Sequence, residues 1–518
     1  MAGTIASRQW KSSSLDPTRV RCICLGVEHF TTTVALVGIV IIVASLLSGV
    51  LERSGAPLVV VFLALGAALG PAGLGLADIR LDSPVLQTLA TLALALVLFS
   101  DAVTIETSEV RARKRLVWRM VVPGTLVPAA LMALAAWALL DVPAPAAAIL
   151  GAALASTDPV MLRTAIRSRA MPASARVALR LETGANDVVL LPIVVLAMLA
   201  LAASAQGRAL TSGDAGRAVV GLFILGPLLG AFVGWLGITA LARIRDHFGV
   251  RRDYESLYAL GLAFSGFAAA EAAGGSGFLA AFAAGFMVAA QDVELCDCFL
   301  EYGEATAEML LLLTFVAFGT SLIWTGVTVA DGRTLLFAAI ALTVRTIVLF
   351  PVLAGLGLAE RDRRLIALFG PRGLSSLLLV LLPVFAGLPG AVRLFTIACL
   401  VVLLSVVLHG VGIALFLRRA GAPSVEGGWS RVEKAEQSPP SALRPPPSDV
   451  PERITIGEVE DLVARDEPVV IVDARAERSH RADDIQAKGA VRIDPVDPVR
   501  SAEAQRLSQH GTLVIYCA

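Results

Sequence analysis

The sequence predicts an all-α polytopic membrane protein with about thirteen transmembrane helices, followed by a small α/β domain. Three observations support this prediction. Of the 518 residues, 56% are hydrophobic, and the mean hydropathy is +0.76. Charged residues make up only 17% of the chain, whereas soluble proteins contain about 25%. The apolar residues come in blocks close to 20 residues long, the length that crosses about 30 Å of hydrocarbon.

The loops between the apolar blocks differ in charge. Basic residues cluster in alternate loops such as 111–115, 361–364 and 418–419, whereas 141–143 and 327–332 contain none. Because Lys and Arg concentrate in cytoplasmic loops, the amino terminus is predicted outside and the carboxyl terminus in the cytoplasm. The predicted spans are 31–51, 57–76, 85–104, 117–140, 144–166, 177–203, 217–243, 255–273, 277–291, 304–328, 333–357, 364–386 and 393–417.

Composition divides the chain into four segments. Residues 1–30 hold a few basic residues and no long apolar core, so no cleavable signal peptide is expected. The transmembrane domain is predicted over 31–418. The Pro- and Ser-rich segment 419–452 predicts a disordered or semi-extended linker, and 453–518 has the pattern of a soluble domain. The formal net charge is zero, which gives no reason to expect a nucleic-acid partner.

Three carboxylates lie inside stretches that are otherwise predicted membrane helices: Asp158, Glu182 and Asp187. A charge at the bilayer centre costs about 2.5–3.5 kcal/mol on insertion scales, so such residues usually line an ion path or pair with a buried opposite charge. Arg345 and Arg372 lie in apolar surroundings and offer such opposite charges. The function indicated is the movement of a small cation, of protons, or of both.

Two predicted spans are interrupted by proline. Pro159 has no N–H group and disfavours helical geometry in the residue before it, so the span 144–166 is predicted to break near its middle. Carbonyls freed there would be able to coordinate a cation; an ordinary proline kink with a hydrogen-bonded Asp158 is the alternative. The Gly-Pro-Arg-Gly sequence at 370–373 interrupts the span 364–386 in the same way. Interrupted spans in both halves of a chain indicate a transporter site between repeats.

The segment 182–187 places polar residues on two adjacent faces of one helix. Glu182 and Asn186 are four residues apart and share one face, and Thr183 and Asp187 share the adjacent face. Asp187 has a neutral Asn beside it and is predicted to be the ion-binding carboxylate. Glu182 is predicted to form a buried ion pair with Arg345, a mid-span cation that keeps its proton.

A fourth carboxylate, Asp101, lies near the predicted cytoplasmic end of the span 85–104. It would either attract cations at the mouth of a funnel or reach water as an ordinary end-of-helix charge, and both interpretations stay open. The six cysteines show no paired C-x-x-C arrangement. No cofactor and no metal other than a transported cation are therefore predicted.

Taken together, these motifs resemble the monovalent cation/proton antiporters of the sodium/proton exchanger class, in the bacterial and archaeal branch with thirteen spans. The similarity covers about residues 31–418. It implies inverted repeats, two crossed and broken helices in a six-helix core, and a homodimer in the plasma (inner) membrane of a prokaryote. The motifs are Thr157-Asp158-Pro159, Glu182-Thr183-Gly184-Ala185-Asn186-Asp187, Ser276-Gly277-Phe278-Leu279-Ala280, Arg345 and Gly370-Pro371-Arg372-Gly373.

The resemblance implies that Asp187 takes either the cation or the proton. The Asn-Asp pair implies electroneutral exchange, with sodium expected as the cation and lithium or potassium as alternatives. The candidate ion-binding residues are Asp187, Asp158, Thr157, Thr183, Asn186 and Asp101. The implied structural residues are Glu182 and Arg345 as an ion pair and Arg372 as the stabiliser of the helix crossing.

The carboxyl-terminal segment resembles the start of a rhodanese-like domain, on residues 470–475, 484–490 and Tyr516-Cys517. Cys517 would be its persulfide-forming residue. The domain is expected to be truncated, because the segment 453–518 is short for such a domain and the active-site loop expected after Cys517 is missing. A reactive thiolate needs the backbone N–H groups of that loop, so a buried inert thiol or a regulatory remnant is an alternative role for Cys517. An alternative function is therefore a membrane-tethered sulfurtransferase or redox sensor. An ion channel is a further alternative, which predicts current without counter-transport.

Overall fold

The structure is a computed structural model, and it describes most of the predicted transmembrane domain and parts of the carboxyl-terminal segment. The predictions for 1–30, for the linker and for Cys517 lie outside the described residues. Those described are 38–39, 41–43, 46, 58–76, 79–105, 110, 113–168, 170–208, 211–248, 252–291, 297–419, 459, 462, 465, 469–475, 486–487, 489–493, 501–502, 505, 507 and 512–516.

The regular secondary structure in the described part of the transmembrane domain is helical. Short π-helical segments, Gly221–Leu225 and Phe318–Leu322, interrupt two of its long helical stretches. In chain order the α-helices are α1 (Leu58–Leu69), α2 (Pro84–Val103), α3 (Lys114–Val121), α4 (Pro123–Leu139), α5 (Ala144–Ala155), α6 (Pro159–Arg167), α7 (Ala173–Ala205), α8 (Ser212–Val220), α9 (Gly226–Phe248), α10 (Arg252–Ala272), α11 (Gly277–Ala290), α12 (Asp297–Ala317), α13 (Thr325–Thr328), α14 (Gly332–Val352), α15 (Glu360–Leu368), α16 (Leu374–Phe385) and α17 (Ala391–Arg419).

Many of these helices are suited to a bilayer. Among the described residues, seven helical stretches are long and apolar enough to cross a membrane, and five shorter helices are also apolar. The prediction of an all-α polytopic membrane protein is confirmed. Each predicted span from residue 57 onward contains a helix, whereas the count of thirteen stays a prediction.

The two spans with internal proline are each built from two helices. Helix α5 ends at Ala155 and α6 begins at Pro159, so the residues between them are extended. Helix α15 ends at Leu368 and α16 begins at Leu374, with the Gly-Pro-Arg-Gly sequence between them. In the apolar 18-residue segment of Ala144–Arg163, 83% of the residues are buried, against 22% in that of Ser212–Ile244, which places the first break inside the helical bundle.

The chain divides into two compact units, and the second holds three short strands. Strands β1 (Val469–Asp473), β2 (Val491–Arg492) and β3 (Thr512–Tyr516) form a parallel sheet in the order β2-β1-β3. The apolar runs 468–473 and 513–517 predict strands, and β1 and β3 lie there; no such run predicts β2, whose two residues are too few to show a pattern.

One ion pair orders the carboxyl ends of these strands. Asp473 is buried and receives a bidentate hydrogen bond from Arg475, with Nη2 and Oδ2 2.8 Å apart. This hydrogen bond holds the pKa of the Asp473 carboxyl at about 2. The rhodanese-like identity of the unit stays a prediction.

Candidate functional site

The two broken helices contact each other at their breaks, and Asp158 is central to this contact. Its backbone N–H donates to the carbonyl of Pro371 at 3.0 Å. Its carboxylate accepts N–H groups from both of the following helices: Val160 of α6 at 2.8 Å and Leu374 of α16 at 2.7 Å. Because helix N-termini carry unsatisfied N–H groups and partial positive charge, one carboxylate stabilises two helix starts.

Arg372 neutralises the other helix terminus at the first break, which is the carboxyl end of α5. Pro159 leaves the carbonyl of Ala155 without its helical donor, and Arg372 Nη1 donates to that carbonyl at 2.7 Å and to the Ser156 carbonyl at 3.1 Å. The Arg372 backbone N–H donates to Ser405 Oγ at 2.7 Å. The carbonyl that the sequence predicts to be free for a cation therefore accepts from an arginine in this structure.

Glu182 and Arg345 form a buried salt bridge. Arg345 Nε and Oε1 of Glu182 are 2.8 Å apart, and Nη2 and Oε2 are 2.5 Å apart, which is the bidentate geometry typical of strong pairs. Arg345 Nη1 also donates to the carbonyls of Ile366 and Ala367 at 3.1 and 3.0 Å, at the end of α15. The arginine thus joins α7, α14 and α15.

Asp187 lies in the middle of α7 and faces the breaks. Its side chain is buried, with only 2% of the residue exposed. Ser156 donates to Oδ1 of Asp187 at 2.5 Å, and the Ser375 hydroxyl of α16 also hydrogen-bonds to this carboxylate. The carboxylate therefore contacts one hydroxyl from each broken span.

The other predicted site residues divide between this cluster and its surroundings. Asn186 Nδ2 donates to Thr157 Oγ1 at 2.6 Å, and among the described residues Asn186 Oδ1 is buried without a hydrogen-bond partner. The Thr183 hydroxyl donates back to carbonyls of its own helix, those of Leu179 and Arg180, both at 3.1 Å. Thr183 therefore lies near Asp187 without contacting it.

A cavity lies beside this cluster, and Pro159 and Val160 at the start of α6 form part of its lining. Asp101, the fourth carboxylate, lines it together with Thr183 and Gly184 of α7. Thr183 precedes Asp187 by four residues, about one helical turn, so part of the cavity wall lies about one turn from the buried carboxylate. Asp101 thus lies on the cavity wall, and both interpretations of its role stay predictions.

We expect the crossing to tolerate no side chain at position 373. A methyl group on Gly373 would overlap the Asp158 carboxylate, which is fixed by backbone N–H groups on both helices. Gly373→Ala should lower the free energy of unfolding by about 1–3 kcal/mol, the usual cost of overpacking, and so lower the melting temperature in detergent. Gly412→Ala in α17 is the matched control, because nothing lies within 4 Å of the added methyl, and its melting temperature should not fall. Equal melting temperatures for the two variants would contradict the tight crossing.

The sequence analysis missed two residues of the cluster, Ser156 and Ser375. Ser156 lies in the same string as Thr157 and Asp158, so its position beside a helix break was a usable signal. Ser375 lies 188 residues after Asp187, in the first turn of an apolar helix, and nothing in its local sequence indicates the contact.

Charged groups that converge on broken helices inside a membrane bundle are typical of a transporter site. The chain belongs to the sodium/hydrogen exchanger family, whose transmembrane model matches residues 39–419. This match covers most of the helical unit.

Curated relatives carry related names. The chain is 25% identical over 431 residues to the K(+)/H(+) antiporter NhaP of Alkalimonas amylolytica, covering 81% of this chain and 70% of that protein. It is 26% identical over 394 residues to the K(+)/H(+) antiporter NhaP2 of Shewanella oneidensis, covering 73% of this chain and 65% of that protein. The chain thus spans about two thirds of the length of these relatives.

The fold also matches solved structures. A structure of the sodium proton antiporter MjNhaP1 from Methanocaldococcus jannaschii aligns with a TM-score of 0.58 and 19% identity, over 74% of this chain and 99% of that one. An electron-microscopy structure of the same protein aligns with a TM-score of 0.56 and 18% identity, over 79% of this chain and 99% of that one. At this identity the similarity establishes the fold.

Proposed function

We propose that this chain is a monovalent cation/proton antiporter and that Asp187 binds the transported cation and the proton in turn. The observation that supports this proposal best is the position of Asp187, a 2% exposed carboxylate that contacts two serine hydroxyls and lies one turn from a cavity. A buried carboxylate is unfavourable when it is both charged and empty. A cation or a proton relieves that charge, and the two compete for one site.

Among the three buried carboxylates described at the crossing, Asp187 is the one available for this competition. The oxygens of Asp158 accept backbone N–H groups from two helices, and Glu182 is held by Arg345. Asn186, beside Asp187, carries no charge. We therefore propose electroneutral exchange, in which one proton leaves as one monovalent cation binds, and the loaded site then opens to the other side of the membrane.

Cation choice depends on the ligand set around Asp187. Hydroxyl, amide and carboxylate oxygens suit alkali cations, and the neutral oxygens of this cluster include the unpartnered Oδ1 of Asn186 and the hydroxyls of Ser156 and Ser375. Sodium is proposed first, lithium is a close alternative, and the names of the curated relatives make potassium the third cation to test. We further propose a homodimer in the plasma membrane of a prokaryote, with the carboxyl terminus in the cytoplasm.

The direct test uses everted membrane vesicles that are acidified by respiration and contain a dye sensitive to the pH gradient. Addition of Na⁺, Li⁺ or K⁺ should collapse the gradient in vesicles with the full chain and not in vesicles from the host alone. In proteoliposomes, an imposed membrane potential should leave the exchange rate unchanged if exchange is electroneutral. Failure of all three cations would overturn the proposed function, and a current without proton movement would indicate a channel.

A further inference from the structure

His409 is a polar side chain inside the apolar helix α17, and the site described above does not use it. Its Nδ1 is 3.1 Å from the hydroxyl oxygen of Ser405, about one turn earlier in the same helix. Nδ1 is also 3.2 Å from the carbonyl oxygen of Ser405. A histidine that only bonds the carbonyl of its own helix is part of the packing. The direction of the hydrogen bond with the hydroxyl therefore decides whether His409 does more.

The Ser405 hydroxyl is buried and accepts a hydrogen bond from another element. The backbone N–H of Arg372, in the break between α15 and α16, donates to Ser405 Oγ at 2.7 Å. Ser405 is 0% exposed, and a buried O–H group needs an acceptor of its own. Among the described residues, His409 Nδ1 is the group placed to accept that proton, because the N–H of Arg372 is itself a donor. This pattern makes Nδ1 the acceptor and puts the ring proton on Nε2.

The Ser405 oxygen supports irregular backbone at the crossing. Arg372 lies between two helices, so its N–H has no helical acceptor, and Ser405 supplies one. The side chain of the same arginine donates to the Ser156 carbonyl at 3.1 Å, and the Ser156 hydroxyl donates to Asp187. Four hydrogen bonds in series therefore connect His409 with Asp187.

We propose that His409 is a positioning residue of the cation site: by accepting the Ser405 hydroxyl, it fixes the oxygen that holds the Arg372 backbone at the crossing. This proposal rests on the proposed exchange at Asp187. A hydroxyl rotates about its C–O bond, and without an acceptor its lone pairs are no longer held toward the Arg372 N–H. Because Arg372 in turn holds the carbonyl of Ser156, the expected effect is on the geometry of the cation ligands. The KM for the cation should therefore change more than kcat.

Asparagine and glutamine replace the imidazole of His409 in different ways. The side-chain oxygen of asparagine occupies the position of Nδ1, whereas the amide of glutamine reaches the position of Nε2. Glutamine, however, is closer to histidine in volume, so it leaves the smaller void. A packing role therefore ranks glutamine as the better replacement, and a positioning role ranks asparagine as the better one. The two roles predict opposite orders.

The test measures exchange by the full chain in proteoliposomes, with the cation that wild type transports. His409→Gln should raise KM by about two- to tenfold, the equilibrium factor that one neutral hydrogen bond contributes. His409→Asn should keep KM close to that of wild type, although its melting temperature in detergent should be the lower of the two. His247→Gln is the matched control, because His247 Nδ1 also lies beside a carbonyl four residues earlier, 2.8 Å from that of Arg243, on the exposed side of α9. Its KM should equal that of wild type.

A double-mutant cycle tests whether His409 acts through Ser405. Ser405→Ala should raise KM at least as much as His409→Gln, because it removes the acceptor of the Arg372 N–H. The double variant should be no worse than Ser405→Ala alone, since the histidine then has no hydroxyl to position.

Three results would overturn the proposal. They are an unchanged KM in His409→Gln, a KM that is higher in His409→Asn than in His409→Gln, and additive effects of the two substitutions in the double variant. The melting temperatures and the wild-type rate show which claim has failed. A lower melting temperature with an unchanged KM assigns His409 to packing, and exchange by wild type then still supports the proposed function. If wild type exchanges none of the three cations, the proposed function itself fails, and the role of His409 falls with it.

Discussion

Asp187→Asn is expected to reduce cation-driven proton movement to background while leaving the protein folded. The amide has nearly the same shape as the carboxylate, and its Oδ1 can still accept the Ser156 hydroxyl. It cannot take up or release a proton near neutral pH and has no negative charge to attract a cation. The vesicle assay measures the loss, and size-exclusion chromatography and thermal unfolding in detergent should show a folded protein.

A matched control separates this effect from loss of any acidic residue. Asp82 lies in the loop before α2 with its side chain 76% exposed, so Asp82→Asn should exchange ions at the wild-type rate. If Asp187→Asn also retained wild-type exchange, Asp187 would not be the residue that carries the ion.

Glu182→Gln is expected to destabilise the protein strongly. The substitution leaves Arg345, only 3% exposed, without its charge partner inside the bundle. Breaking a buried pair from one side costs about 3–5 kcal/mol in soluble proteins, because the remaining charge stays desolvated. The expected readout is a large fall in the melting temperature in detergent, together with a lower yield of monodisperse protein.

Two further variants test the cause of this loss. The double variant Glu182→Leu/Arg345→Met removes both charges and should recover part of the stability, although the carbonyls of Ile366 and Ala367 lose their donor. Glu360→Gln breaks an exposed pair with Arg364 and should cost less than about 1 kcal/mol. A double variant less stable than Glu182→Gln would show that the helix-end contacts of Arg345, and not its charge, dominate.

The breaks in the two spans can be predicted from the sequence, because a proline affects only the helix residues next to it in the chain. Pro159 and Pro371 each remove a donor, and the helices stop near them whatever the surroundings. The pairing of Glu182 with Arg345 can be predicted for another reason: two opposite charges in hydrocarbon have few partners except each other. The structure places them in bidentate contact.

The contacts between the two breaks cannot be predicted from the sequence in this way. Asp158 caps α16 as well as α6, and Arg372 takes the carbonyl of Ala155, 217 residues earlier in the chain. Ser375 contacts Asp187 only because the second broken span crosses the first. Such pairings depend on how distant segments meet in space, and a single sequence carries no record of that.

Each helix end at the crossing is neutralised by a residue of the chain itself. Asp158 serves the starts of α6 and α16, Arg372 the end of α5, and Arg345 the end of α15. Proteins that need a bound ion to fold hold that ion tightly, because its departure also removes folding energy. Here residues of the chain neutralise these helix ends, so the contacts that stabilise the crossing do not depend on a bound ion. In the proposed antiport cycle, the ion can therefore leave at every turnover while the helix-end contacts of the crossing stay in place.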